Sequence, residues 1–277
     1  MQKRDSKPIE AADLSEYLES ADDFQFELEV FRCCLQGGLP AEHGGTYQDP
    51  VTKKDRQFDI RMLIKNRRRL VKLAIECKNL KTNFPLLVSR IPRRPEENFH
   101  MLIFSSRITG VRSFRVSGPA TVFEAGKLVG KSTAQVGRTP STKKNIPGDL
   151  VTSDAEVYEK WTQALGSAFD LVYSSRGDYV TEGDAAVTVI FPVLVIPDET
   201  LWTVDYSADG QQLSAPKRSH ECEVFLGKNF DAGSLNYTTS HLLIFTKTKF
   251  DSYLNRLATN EKYLALIFPP QALEGRI

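Results

Sequence analysis

The chain has few cysteines, and their spacing excludes several protein classes. Only four of its 277 residues are cysteine, at Cys33, Cys34, Cys77 and Cys222. This spacing matches neither a zinc-ligand pattern nor a disulfide framework. We therefore expect reduced thiols. Alternation turns Cys77 towards the core, which argues against a catalytic thiol there.

The sequence also lacks a long apolar run. The longest one, from Ala185 to Ile196, is too short to span a bilayer and is interrupted by Pro192. The beginning of the chain, MQKRDSKPIEAADLSEY, has no apolar centre of the kind that a secretory signal needs. These two absences predict a cytoplasmic protein with no membrane partner.

The chain has no large overall excess of positive or negative charge, since its net charge is +1. Its basic residues are nevertheless concentrated in one stretch. Between Lys53 and Lys81 there are eleven lysines and arginines against three acids. Binding to a phosphate backbone requires such a stripe. A solvated hairpin tip is the competing interpretation of the arginine run at 67–69 taken alone. The candidate nucleic-acid contacts are Arg61, Arg67, Arg68, Lys81, Arg90, Arg93 and Arg94.

Residues 57–81 predict a β-hairpin on which the chain is centred. Apolar residues alternate through QFDIRMLIKN and again through LVKLAIECK, as expected of strands with a buried face. The polar run KNRRR between them supplies the turn. A turn at the centre of that region places Asp59 opposite Glu76, and Lys78 lies one step further along the same face.

Two carboxylates that face each other across a hairpin repel unless a positive charge lies between them. Oxygen ligands of this kind suit Mg²⁺ or Mn²⁺, which keep several waters and bind substrate phosphates. We therefore predict a metal site on Asp59 and Glu76, with the backbone carbonyl of Cys77 as a further ligand. Lys78 is the candidate to hold or deprotonate the attacking water, or to stabilise charge on a phosphate. A solvated strand face is the competing interpretation.

Asp59, the 16-residue spacer and Glu76-Cys77-Lys78 after an apolar strand resemble the PD-(D/E)XK nuclease superfamily, the restriction endonuclease-like phosphodiesterases. Phe58 stands where the motif's name has proline. The resemblance covers roughly residues 20–105. It implies an α/β fold with a restriction endonuclease-like mixed β-sheet flanked by helices. It also implies Mg²⁺-dependent cleavage of phosphodiester bonds. Restriction or antiphage defence is common in the superfamily, so a homodimer or a partner protein of a defence system is a further expectation.

A helix is predicted over 23–38, ending in a glycine pair suited to a helix stop. Its narrow apolar arc is formed by Phe24, Leu28, Phe31 and Leu35, and Val30 and Cys34 extend it on one side. Glu27 falls inside this arc and Glu29 outside it. A carboxylate on the buried side is costly unless it is protonated or a cation pairs with it. In the superfamily such a helix often supplies an acid to the metal site, so the resemblance implies Glu27 as a third carboxylate. Glu29 takes that place if the helix is rotated, and a surface glutamate at a frayed helix end is the remaining interpretation.

The composition, 41% apolar and 26% charged, is that of an ordinary globular protein. At this length we expect one α/β domain over 1–277, with a catalytic core at about 20–105. An extension over 106–277 supplies additional C-terminal strands and helices that complete the sheet. Two domains split near residue 150 are the alternative. Four further elements are expected: a helix or irregular crossover at 83–91, a flexible loop at 131–149, a helix at 153–171 and a buried central strand at 187–196.

The activity predicted from these residues is that of a Mg²⁺-dependent endonuclease acting on DNA. An RNA or branched-DNA nuclease of the same fold is an open alternative, because no base-reading element decides the substrate. A non-catalytic nucleic-acid-binding or scaffolding module is the alternative from another class. The intact set of Asp59, Glu76 and Lys78 argues against it, since one substitution suffices to abolish activity.

Overall fold

The computed structural model describes residues 8–20, 23–36, 38–108, 111–116, 126–141, 147–153, 155–175, 178, 185–231 and 236–269. Its helices are α1 (Ala11–Ser20), α2 (Phe24–Gln36), α3 (Ala155–Ser174), α4 (Lys247–Thr259) and α5 (Glu261–Ile267), with a 3₁₀ turn at Pro95–Glu97. The strands of the first half are β1 (Ala41–His43), β2 (Thr46–Gln48), β3 (Asp55–Gln57), β4 (Ile60–Asn66), β5 (Arg69–Cys77), β6 (Leu86–Pro92), β7 (Ile103–Ile108) and β8 (Val111–Val116). Those of the second half are β9 (Leu128–Arg138), β10 (Leu150–Ser153), β11 (Ala185–Ile196), β12 (Leu201–Asp205), β13 (Lys217–Arg218), β14 (Glu221–Asp231) and β15 (Asn236–Thr246).

Thirteen of these strands form one mixed sheet, in the order β1-β4-β5-β11-β15-β14-β9-β6-β12-β13. The other three of the thirteen strands, β7, β8 and β10, lie off this path. Strand β10 pairs with β9, and β7 pairs with β11 and β8. Strand β11 runs parallel to both β5 and β15, whereas β4 and β5 are antiparallel. The predicted α/β class with a mixed sheet flanked by helices is therefore confirmed.

The predicted hairpin and its register are present. Strands β4 and β5 pair so that Ile60 lies opposite Ile75 and Asn66 opposite Arg69. Asp59 immediately precedes β4, so the same register places it level with Glu76 on β5. Alternation buries Ile60, Met62 and Ile64 on one face of β4, as the sequence predicts.

Strand β5 is buried on both faces because helices cover each side of the sheet. On one side α2, α4 and α5 pack on the residues that alternate from Val71 to Cys77. On the other side α3 packs on Ala74 of β5 and Ile190 of β11. Between β5 and the parallel strand β11 the chain forms strands β6 to β10 and then α3. The surroundings of the hairpin therefore extend beyond the 20–105 core that the sequence predicts.

Two local expectations are wrong. Residues 83–91 form no helix, because Leu86 and Val88 are buried in the extended strand β6, which pairs with β9 and β12. The predicted loop at 131–149 is a strand as far as Arg138, since pairing with β6 and β10 supplies the order that its Ser- and Thr-rich composition does not reveal. Residues 142–146 of that segment lie outside the described residues.

The predictions for 153–171 and 187–196 agree with α3 and β11. In the described ranges, no helix is both long and apolar enough to cross a membrane.

Candidate functional site

A cleft of ≈590 Å³ lies where the beginning of β4 and the end of β5 meet α2 and α3. Its basic lining residues are Arg56, Lys78 and Lys160. Its acidic lining residues are twice as many: Asp23, Glu27, Asp55, Asp59, Glu156 and Glu159. This excess of negative charge repels a phosphate group unless the cleft also holds cations.

Three carboxylates converge on the ammonium group of Lys160, which α3 contributes to the cleft. Glu27 and Asp59 line the cleft, whereas Glu76 is fully buried. Lys160 Nζ lies 2.8 Å from Asp59 Oδ2, 3.7 Å from Glu76 Oε2 and 3.8 Å from Glu27 Oε1. These carboxylates come from three different segments, namely the residue before β4, strand β5 and helix α2. The structure thus brings Glu27, Asp59 and Glu76 around one positive charge.

Backbone groups fix the orientation of the two facing carboxylates. The Cys77 amide donates a hydrogen bond of 2.7 Å to Asp59 Oδ2. The Asp59 amide in turn donates to Glu76 Oε1 at 3.4 Å. Because both contacts run across the hairpin, the strand register itself sets the distance between the carboxylates.

No protein-family model, curated protein or solved structure matches the chain. Its chemistry is therefore argued from its own residues. Among the described residues, no group of three or more His, Cys, Asp or Glu side chains is arranged to hold a metal ion. In the cleft the Lys160 ammonium stands between the carboxylates and balances part of their charge.

Lys78 lines the same cleft but pairs with other acids. Its Nζ lies 3.0 Å from both Asp23 Oδ2 and Glu156 Oε2. Burial alone would lower the pKa of Lys78, but its hydrogen bonds to these two carboxylates outweigh burial and raise it. Lys78 is therefore cationic at neutral pH. Charge stabilisation fits this state better than deprotonation of a water does.

The structure decides which helix carboxylate faces the cleft. Glu27 points to Lys160 and also lies 3.7 Å from His43 Nε2. Glu29 points away and pairs with Lys247 at 2.6 Å. The buried face of α2 differs from the predicted arc, because Phe26 is buried whereas Phe24 is 53% exposed.

Three of the predicted nucleic-acid contacts are held in intramolecular ion pairs. Arg61 joins β4 to α3 through Asp170 at 2.8 Å, Arg90 binds Asp205, and Arg93, only 3% exposed, binds Glu223. Their guanidinium groups are occupied within the fold, which does not support backbone contacts by these residues.

The other four predicted contacts lie on the surface. Arg94 is exposed and pairs with Glu96 and Glu97. Lys81, Arg67 and Arg68 are exposed as well, and Arg68 donates to the Ala185 carbonyl. At about 3.4 Å per residue, the turn with Arg67 and Arg68 lies roughly 25 Å along β4 from Asp59. These arginines therefore cannot contact the phosphate group that the carboxylates would face.

Lys160 is the residue of the cleft that the sequence reasoning missed. The signal was available, because Lys160 lies three residues after Val157 and four before Ala164, within the apolar stripe of α3. A lysine in such a stripe needs a carboxylate partner, by the same argument that singles out Glu27. Burial alone would lower the pKa of Lys160, but the charges of Asp59 and Glu76 outweigh burial and raise it.

Glu76 is the least exposed of the three carboxylates around Lys160. It is fully buried, and its Oε2 has no hydrogen-bond partner among the described residues. Burial raises the pKa of Glu76 well above its ordinary value, and the nearby charge of Asp59 raises it further. The folded protein therefore holds a proton that the unfolded chain releases at lower pH.

The raised pKa of Glu76 predicts how the stability of the metal-free protein depends on pH. From the ordinary pKa of Glu76 up to its raised folded value, the folded state binds more protons than the unfolded state, so stability falls as pH rises. Glu76→Gln should remove this slope, so its stability relative to that of the parent should rise with pH, by about 1–3 kcal/mol. Urea unfolding with chelator, from about pH 5 to about pH 8, measures both effects.

The exposed residue Glu42 on β1 supplies the control. Glu42→Gln should keep the parent's pH slope. An identical slope in Glu76→Gln and in the parent would show that Glu76 does not take up this proton.

Proposed function

We propose that the chain is a metal-dependent phosphodiesterase, a nuclease that hydrolyses DNA. The observation that carries the proposal is the convergence of Glu27, Asp59 and Glu76 within 3.8 Å of one cationic atom. Bringing three acids from three segments together costs free energy unless a cation is part of the function.

The chemistry of the donor set supports a divalent cation, because its atoms are all oxygens. The buried Oε2 of Glu76 has no hydrogen-bond partner among the described residues, and burial together with the charge of Asp59 raises the pKa of Glu76. Asp59, Glu76 and Glu27, with the Cys77 carbonyl, would hold Mg²⁺ or Mn²⁺. The ion supplies Lewis-acid polarisation of the phosphate and a bound water of lowered pKa.

The chain's own residues have separate tasks. The Cys77 amide holds the Asp59 carboxylate in a fixed orientation. Lys160 and Lys78 are both cationic and line the cleft. They offset the repulsion between the acidic cleft and a phosphodiester and can stabilise negative charge that develops on the phosphate. Either ammonium can also hydrogen-bond to the attacking water and orient it.

Incubation of the purified protein with plasmid, linear and single-stranded DNA and with RNA tests the proposal. Each substrate is incubated with Mg²⁺, with Mn²⁺ and with chelator. Cleavage of DNA that chelator stops is the expected result. Cleavage confined to RNA or to branched DNA would keep the chemistry and change the substrate. Absence of cleavage on every substrate with either ion would overturn the proposal.

A matched pair of variants on α2 tests the third carboxylate. Glu27→Gln should lower the cleavage rate by at least about 10- to 100-fold, because it removes the charge of one of the three carboxylates that would hold the ion. Glu29→Gln should leave the rate within about twofold, because Glu29 pairs with Lys247 outside the cleft. Equal losses in both variants would assign the effect to the helix rather than to the carboxylate.

A non-catalytic binding or scaffolding module is the second candidate, and one observation favours it. The ammonium of Lys160 already lies between the carboxylates, as in a structural ion-pair network. In this case metal adds neither activity nor stability. Restriction or antiphage defence is the biological setting that the resemblance to the nuclease superfamily adds to the first candidate.

A further inference from the structure

A second cleft, of ≈350 Å³, shares no lining residue with the first. It lies between strands β6, β9, β14 and β15 and helices α4 and α5. Aromatic rings from Phe191, Phe245, Tyr253 and Tyr263 form much of its wall. Its volume is at the low end for small-molecule sites, and apolar walls with a few polar groups are typical of them.

The charge of this cleft is opposite in sign to that of the first. Four basic residues line it, and only Glu221 and Glu223 are acidic. Arg90 and Arg93 are balanced by Asp205 and by Glu223. The remaining basic residues of the wall are Lys127 and Arg256.

The position of Arg256 suits an arginine that binds a ligand better than one that forms an ion pair. Its guanidinium carbon lies 4.2 Å from the centre of the Tyr263 ring and 5.5 Å from that of Tyr253. In the described part of the chain, its buried Nε has no hydrogen-bond partner. Stacking occupies the flat face of a guanidinium and leaves its N–H edge for an acceptor.

The two tyrosines add a neutral donor to the same wall. Burial raises the pKa of Tyr253 well above its ordinary value, and it raises that of Tyr263 as well. Both hydroxyls therefore stay protonated. A hydrogen bond joins them, which leaves the Tyr263 hydroxyl to donate to an anion.

We propose that this second cleft binds a small organic anion with a planar, apolar body, either an aromatic carboxylate or an aromatic phosphate ester. The rings bury the planar body, and the N–H edge of Arg256 binds the acidic group. The proposal is independent of the nuclease activity, because its residues lie outside the first cleft.

Calorimetric titration of the full chain with phenyl phosphate and with benzoate tests it and separates the two acidic groups. At least one probe should bind with Kd below about 1 mM. Phenol has the planar ring without the acidic group, and inorganic phosphate has the acidic group without the ring. Each should bind at least about tenfold more weakly than the aromatic anions. Failure of both aromatic anions to bind would overturn the proposal.

Two matched pairs of variants link binding to the cleft. Arg256→Gln should weaken binding by about tenfold or more, because it removes a charged hydrogen bond. Arg218→Gln is its control, since Arg218 lies over the Trp202 ring away from the cleft. Leu266→Glu places a negative charge at the rim, where the side chain is 60% exposed, so the fold is not at risk. Leu213→Glu is its equally exposed control. Binding unchanged in Arg256→Gln and Leu266→Glu would place the anion elsewhere and overturn the proposal.

Discussion

Asparagine in place of Asp59 should abolish metal-dependent cleavage and leave the fold intact. The side-chain amide oxygen of the asparagine can still accept the hydrogen bond that Cys77 donates, so the geometry of the hairpin is retained. The amide carries no charge, however, and cannot neutralise a divalent cation shared with Glu76. We expect the single-turnover rate of plasmid cleavage to fall roughly 10³-fold or more, at the upper end for loss of one electrostatic partner.

Asp209→Asn is the control, because Asp209 is exposed in a turn and contacts Ser207. It should cleave at the parent's rate. Circular dichroism and thermal unfolding of both variants separate a lost function from a lost fold. If folded Asp59→Asn protein cleaves at the parent's rate, the cation is not held at Asp59 and the catalytic proposal fails.

The register of the central hairpin could be predicted because it depends on local information. Alternating apolar residues fix which side chains share a face, and a short polar run leaves one position for the turn. These two constraints alone place Asp59 level with Glu76, and the pairing of Ile60 with Ile75 agrees. The buried strand β11 was predictable for a similar reason, since a continuous β-branched run suits a strand covered on both faces.

The position of Glu27 was predicted from a partly wrong argument. The expected apolar arc of α2 included Phe24 and Leu35, which are 53% and 47% exposed. The buried residues are Val30 and Cys34, which extended the expected arc on one side, and Phe26, which it did not include. Glu27 nevertheless reaches the cleft, because it lies at the edge of the buried face and close to His43. Periodicity thus identified the element, but tertiary packing set its rotation.

The partners of side chains that meet from distant segments could not be predicted from the sequence. Lys160 meets Asp59 from 101 residues away in the chain. Arg61 and Arg90 are each bound to an acid in a distant element, Asp170 on α3 and Asp205 on β12. A local count of basic residues cannot reveal such partners, so it overstates the charge that is available to a phosphate backbone. Strand β9 was missed for the same reason, because its order comes from β6 and β10.

Methionine in place of Lys160 should destabilise the protein without metal and make it unusually responsive to metal. The substitution leaves Glu27, Asp59 and Glu76 together with no cation between them, and breaking such a buried pair costs about 3 kcal/mol or more. Mg²⁺ or Mn²⁺ that binds the folded state alone restores stability in proportion to the logarithm of its concentration. Thermal unfolding with chelator and with increasing metal should therefore show a larger rise in Tm for Lys160→Met than for the parent.

Lys72→Met is the matched control, because Lys72 is also a lysine with little exposure on this side of the sheet. It pairs with Asp178 at 2.8 Å and lies on β5, away from the carboxylates of the cleft. This variant should also lose stability, but metal should raise its Tm no more than it raises that of the parent. If metal raises the Tm of neither Lys160→Met nor Lys72→Met, the three carboxylates bind no ion even when their ammonium is removed. Lys160 would then be part of a purely structural network, and the non-catalytic module would be the better account of the cleft.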